Sequence, residues 1–163
     1  MPVQSEIEDC YRAEYRRLVG VVAVVTGSTT LAEESVQEAF ARALVRSRRG
    51  RPIAHLGAWI VTVALNHARS RWRSAVRERR GLDRLGGPEH LVANDQTDAL
   101  VLRDAIAGLA RRQRDAVVLY YLLDMKVDDV AQALGASEGT VKTALSRARV
   151  RLAEALSDEE LET

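Results

Sequence analysis

The chain has 163 residues but only one cysteine, one phenylalanine and three prolines. With Cys10 alone there is no internal disulfide, and no Cys or His stands near it at metal-ligand spacing. The three histidines, His55, His67 and His90, are isolated from one another, and no glycine-rich phosphate loop is present. Neither a metal nor a cofactor is therefore expected, and an enzyme is disfavoured. Aromatics make up 4% of the chain, while Ala, Val and Leu dominate the apolar set, which favours helices packed through small residues over sheets. No apolar run approaches the length of a membrane span. The acidic start MPVQSEIEDC lacks the charged-then-apolar order of a signal peptide, so the expected location is the cytoplasm. A strong overall charge is missing too: the formal net charge is +1.

What is present is a hydrophobic content of 47%, enough for packed cores, and a charge pattern that the total conceals. Residues 1–97 carry 15 basic and 11 acidic groups; residues 98–163 carry 9 and 12. All the basic groups except Lys126 and Lys142 are Arg, which suits forked contacts to phosphate.

Periodicity predicts helices throughout. The first spans about 5–26, with Ile7, Tyr11, Tyr15, Leu18 and Val22 as a buried stripe. The run VVAVV could be a strand on propensity, but it has no partner strand nearby. The second spans about 31–46, capped by Thr30 with Glu33 completing a capping box, and turns Val36, Phe40, Ala43 and Leu44 inward. The third spans about 55–80, with Trp59, Ile60, Val63 and Ala64 inward and six Arg between Arg69 and Arg80. Residues 81–97 are rich in Gly, Asn and Asp and read as linker. Helices at about 98–110, 111–123, 127–134 and 137–156 follow, and then an acidic tail. The fold class is all-α, two small helical domains on a flexible linker: residues 1–75, linker 76–97, residues 98–157 and tail 158–163.

The most informative stretch is GASEGTVKTALSRARVRL, residues 135–152. Before it, Val127, Val130, Ala131 and Leu134 form the inner stripe of a short helix. Gly135 stands where a left-handed helix end favours glycine, and Ser137 can cap the next helix. Helix, short Gly-containing turn, helix is the helix-turn-helix pattern, whose second helix enters the DNA major groove. That helix turns Val141, Leu145, Ala148 and Leu152 inward and Lys142, Thr143, Ser146, Arg147 and Arg149 outward. Read alone, it is open to another explanation, a solvated helical hairpin with incidental Arg; Asp128, Asp129 and Glu138 close by weaken a purely electrostatic argument.

Taken together, LAEESVQEAF, AWIVTVALN and the C-terminal LARRQRDAVVLYYLLDMKVDDVAQALGASEGTVKTALSRARVRL resemble the second and fourth conserved regions of bacterial extracytoplasmic-function (ECF) sigma factors. The likeness covers nearly the whole chain. It implies a dissociable subunit of RNA polymerase that directs the core enzyme to promoter DNA. Glu34, Gln37, Glu38 and Arg42 match the face that docks on core polymerase. Asn66 matches an asparagine that contacts a flipped base of the melted −10 element, and Arg46 to Leu56 match the specificity loop. An amide can read a base edge through a donor and an acceptor. Arg46, Arg48, Arg49, Arg51, Arg69, Arg71, Arg73, Arg77, Arg79 and Arg80 would hold the strand's phosphates. Trp59 and Trp72 read as packing residues. Lys142, Thr143, Ser146 and Arg147 match contacts to the −35 duplex, and Arg149 a phosphate contact. An anti-sigma factor is a further partner the resemblance implies.

Departures from the family pattern are Leu31 and Ser35 in the docking helix, Thr62 in place of a basic residue, Ala110 in place of a proline, Val127 in place of a capping Ser, and Lys142 where Arg is common. Two other functions remain open on sequence: a helix-turn-helix regulator that never meets polymerase, and an enzyme.

Overall fold

A computed structural model describes the backbone of residues 2–82 and 97–160 and the side chains of residues 4–71 and 101–158. The expectations placed on Trp72, Arg73, Arg77, Arg79, Arg80, His90, linker residues 83–96 and the end of the acidic tail lie outside the described residues or side chains.

Among the described residues every regular element is helical: α1 (Pro2–Thr26), α2 (Thr29–Arg48), α3 (Leu56–Leu82), α4 (Thr97–Gly108), α5 (Arg111–Val117) continuing as a π-helical turn (Val118–Leu122), α6 (Val127–Leu134) and α7 (Glu138–Glu160). Packing divides the chain into two units, Met1–Ala93 and Asn94–Thr163. The all-α, two-domain architecture is thus as the sequence implies. None of the described helices is long and apolar enough to cross a membrane.

In the first unit α1, α2 and α3 all pack on one another. Ile7, Leu18 and Val22 of α1 meet Val36, Phe40 and Ala43 of α2 and Ile60 and Ala64 of α3, all buried. The VVAVV run stays helical, because Val21, Val22 and Val25 bury themselves on the core side. Tyr11 departs from the expected stripe. It is 42% exposed, its ring lying 4.8 Å from that of Tyr15 and 5.0 Å from that of Phe40. A long aromatic at the edge of a helix face can cover its neighbours without being covered itself.

Thr30 does not cap α2. Ser28 does, in an extended conformation, with its Oγ accepting from the Leu31 backbone N–H at 3.1 Å. Ser28, Thr29 and Thr30 can all cap in principle. The choice falls on Ser28 because α1 ends at Thr26 and Gly27, with a positive φ of 69°, turns the chain there. Thr30 and Glu33 then fall inside α2, and the expected capping box has no place. At the other boundary α3 runs to Leu82, so the first seven residues of the stretch read as linker are helical. Arginine is a good helix former, and the run of Arg there does not interrupt α3.

In the second unit α7 packs against α4, α5 and α6. Ile106, Leu109, Val117, Val118, Leu119, Val130, Val141, Leu145 and Ala148 form the core. A buried ion pair, Arg114 to Asp115 at 3.0 Å, lies within it. The helix expected at 111–123 changes period partway. The N–H of Leu123 bonds the Val118 carbonyl five residues back, at 3.1 Å. Six consecutive buried residues, Arg114 to Leu119, precede or enter that turn.

Candidate nucleic-acid interface

Two short-range devices aim α7. Gly135 ends α6 with φ 62° and ψ 37°, and the Ala136 N–H bonds the Ala131 carbonyl at 2.9 Å, closing the helix in a left-handed turn. Ser137 starts α7: its Oγ accepts from the Thr140 N–H at 3.1 Å and lies 2.9 Å from Thr140 Oγ1. Both devices were legible in the sequence. α6 itself starts without a side-chain cap, at Lys126, and α5 starts without one at Ala110.

Val141, Leu145 and Ala148 of α7 are buried, and Leu152 is half-buried. Burying a Val or Leu contributes roughly 1.5–3 kcal/mol each. That anchorage leaves Lys142, Thr143, Ser146, Arg147 and Arg149 all exposed. The two arginines do not share a flank. Residues two apart on a helix stand about 200° apart around its axis. Arg147 and Thr143 border a groove shared with Arg112 and Gln113 of α5 and Thr140 of α7. Arg149 faces the other way, its Nε donating to the Tyr121 hydroxyl at 2.8 Å. Lys142 and Ser146 lie between these flanks. The surface is a convex helix with an arginine at each edge and Lys142 and Ser146 along its crest, of a width that a groove about 12 Å wide admits.

On the first unit, Arg48, Arg49 and Arg51 are exposed around Gly50, whose φ is 67°. Arg46 differs from them. Its guanidinium lies 6.0 Å from the Trp59 ring centroid, and its Nη2 donates to the Pro52 carbonyl at 3.5 Å. Arg46 therefore ties the end of α2 and the loop to α3, and Trp59 is half-buried beneath it. Asn66 and Arg69 are half-buried on α3. On α2, Glu34, Gln37 and Arg42 are exposed and Glu38 half-buried. Each is lightly held: Glu34 by Arg71 at 3.1 Å, Glu38 by Arg42 at 2.9 Å, and Gln37 by donating to the Tyr15 hydroxyl at 3.1 Å. Exposed pairs of this kind are worth about 0–1 kcal/mol, so a partner can displace them at little cost.

Residues 10–78 match the family model described as Sigma-70 region 2, and residues 99–152 match Sigma-70, region 4. The RNA polymerase sigma-E factor of Streptomyces antibioticus is 30% identical over 158 residues, covering 96% of this chain and 88% of that protein. The ECF RNA polymerase sigma factor EcfG of Rhodopseudomonas palustris (strain TIE-1) is 29% identical over 155 residues, 93% of this chain and 86% of that one. The chain belongs to the ECF sigma factors of RNA polymerase. Among solved structures, the sigma factor RpoE from Bartonella quintana, crystallised with the anti-sigma factor NepR, superposes with a TM-score of 0.58 at 26% identity, covering 92% of this chain and 98% of that one. This sigma factor accordingly works with core RNA polymerase and promoter DNA in promoter-specific transcription initiation. Its family consists of regulatory DNA-binding proteins.

Several departures from the family pattern find a physical account. Ser35 is 0% exposed and faces α3, where its Oγ lies 3.2 Å from His67 Nδ1. A polar residue at that core position is thus matched by a polar partner, and it leaves the outer face of α2 untouched. His67 is thereby a satisfied side chain. Thr62 uses its hydroxyl on the Trp59 carbonyl at 3.0 Å, inside its own helix. Sequence reasoning missed Tyr121 and Arg112. Both lie within the stretch that resembles the fourth region, but the Tyr121–Arg149 contact joins residues 28 apart, so no local pattern announces it.

Proposed function

We propose that this sigma factor reads promoters with two heads. α7 reads the −35 element as duplex. Lys142, Thr143 and Ser146 meet base edges or adjacent phosphates, Arg147 is the main base-reading residue, and Arg149 contacts a phosphate. The first unit reads the melted −10 strand, with Asn66 at a base and Arg48, Arg49, Arg51, Arg69 and Arg73 along the phosphates. Arg46 acts in that unit by holding the loop. Glu34, Gln37, Glu38 and Arg42 dock on core polymerase. The protein carries no catalytic chemistry of its own and acts in the cytoplasm.

One observation carries this reading: five polar or basic side chains of α7 are exposed together, while its other side is fastened by Val141, Leu145 and Ala148. The test is transcription in vitro with core polymerase on a genomic fragment library, mapping start sites. Arg147→Ala should cost about 1–3 kcal/mol at its promoters and relax selection at one −35 position. Asn66→Ala should lower open-complex formation while leaving −35 binding intact. Unchanged start sites and yields in both variants refute the residue assignments.

The Bartonella relative was crystallised with an anti-sigma factor. We extend that mode of control to this chain. It predicts weaker promoter activity in the native cell than the purified holoenzyme supports, and equal activity refutes it.

A further inference from the structure

We propose that Tyr121 is the positioning residue for Arg149, holding its guanidinium ready for a backbone phosphodiester at one edge of the −35 duplex. The inference rests on reading Arg149 as a phosphate contact. It adds a residue, and a mechanism, to that reading.

The geometry is that of one contact. Arg149 Nε donates to the Tyr121 hydroxyl at 2.8 Å, and the same guanidinium lies 5.8 Å from the Tyr121 ring centroid. The hydroxyl thus fixes the direction in which the guanidinium points. The bond uses Nε and leaves the two terminal amino groups for an outside partner. Those two groups form the planar fork that suits phosphate oxygens. Among the described residues no carboxylate pairs with Arg149, so its charge is not neutralised within the fold.

Tyr121 is itself held. Its ring meets that of Tyr120 edge-on, at 4.8 Å and 89°, and both stand on the π-helical turn that follows α5. Yet Tyr121 is 48% exposed. It contributes less to the core than Val118 or Leu119, the buried residues that open the same turn. Its clearest contact is the arginine. An unrestrained Arg on a helix surface loses much rotamer freedom when it binds; one already fixed against a tyrosine loses less. Among the described residues the opposite flank differs: Arg147 borders a groove with Arg112 and Gln113.

The experiment measures holoenzyme binding to a labelled promoter duplex across a salt series, for wild type, Tyr121→Phe, Arg149→Gln and the double variant. Tyr121→Phe keeps the ring and removes only the acceptor. Loss of one phosphate contact makes the log–log salt slope shallower by about 0.9, so the deficit of Arg149→Gln should shrink about 3.5-fold between about 50 and 200 mM salt. Tyr121→Phe should weaken all promoters alike, shift the slope in the same direction by a smaller amount, leave start sites unchanged, and add nothing in the Arg149→Gln background. A wild-type slope in Arg149→Gln overturns the phosphate reading of Arg149 and this proposal with it. A shallower slope in Arg149→Gln, with Tyr121→Phe indistinguishable from wild type or additive in the double variant, overturns the positioning role alone.

Discussion

Replacing Gly135 by Ala tests how α7 is aimed. Gly135 has φ 62°, and a Cβ built there would meet nothing within 4 Å. Steric clash therefore contributes nothing, and the cost is conformational. A left-handed residue other than Gly costs roughly 1–2 kcal/mol. Ala also stiffens the unfolded chain, which returns about 0.4–1 kcal/mol. The net loss is about 1 kcal/mol, close to a fivefold change in the unfolding equilibrium. Gly108 is the control within the same unit: it too has nothing within 4 Å of an added Cβ, but its φ is not positive. Gly108→Ala should be neutral or slightly stabilising, because Ala is the better helix former. Both tryptophans, Trp59 and Trp72, belong to the first unit, so tryptophan fluorescence does not report on this one. Hydrogen exchange of peptides from α5 and α7 does. The slowest amides should exchange about fivefold faster in Gly135→Ala and no faster in Gly108→Ala. Equal protection in the two variants would refute the argument from φ.

Other substitutions probe separate contacts. Ser137→Ala removes the cap at the Thr140 N–H and should cost about 1 kcal/mol, read as faster exchange in the first turns of α7; an unchanged first turn contradicts the capping role. Ser35→Ala leaves His67 Nδ1 without its partner and should destabilise the first unit by about 1 kcal/mol, visible as a lower midpoint by tryptophan fluorescence; an unchanged midpoint shows the bond is not needed. Burial pushes the Cys10 thiol above its ordinary value of 9.0, and the charge of Glu14 adds to the effect. The reactive thiolate is therefore scarce at neutral pH, and alkylation should be slower than for a free thiol and accelerate into strongly alkaline solution. Alkylation at the free-thiol rate at pH 7 contradicts this.

What was legible in the sequence was whatever repeats at helical spacing or sits at a turn. Val141, Leu145 and Ala148 declare the buried side of α7, and Gly135 and Ser137 its entry, because each acts within a few residues of itself. The cap of α2 was misplaced because three hydroxyl residues stand in a row and only the course of the preceding helix selects Ser28. Arg46 read as one more phosphate ligand beside Arg48, Arg49 and Arg51. Its contacts with Trp59 and Pro52 depend on how α2 and α3 pack, which composition does not encode. The same holds for Ser35, whose pairing with His67 spans 32 residues, and for Tyr121. Spacing marks the outward residues of α7 as exposed, but their division between two flanks depends on where α5 and the turn after it pack.

The π-helical turn of Val118–Leu122 works as a change of phase. A regular helix gives each side chain a bearing fixed by count. A turn closed at five residues admits one more, and everything beyond it is rotated by about 100° relative to an uninterrupted helix. Within this turn Val118 and Leu119 face the core and Tyr121 faces Arg149. Shortening this turn by one residue would preserve composition and hydrophobic content almost entirely. It would also swing the tyrosine off the arginine, so here the number of residues matters as much as their kind.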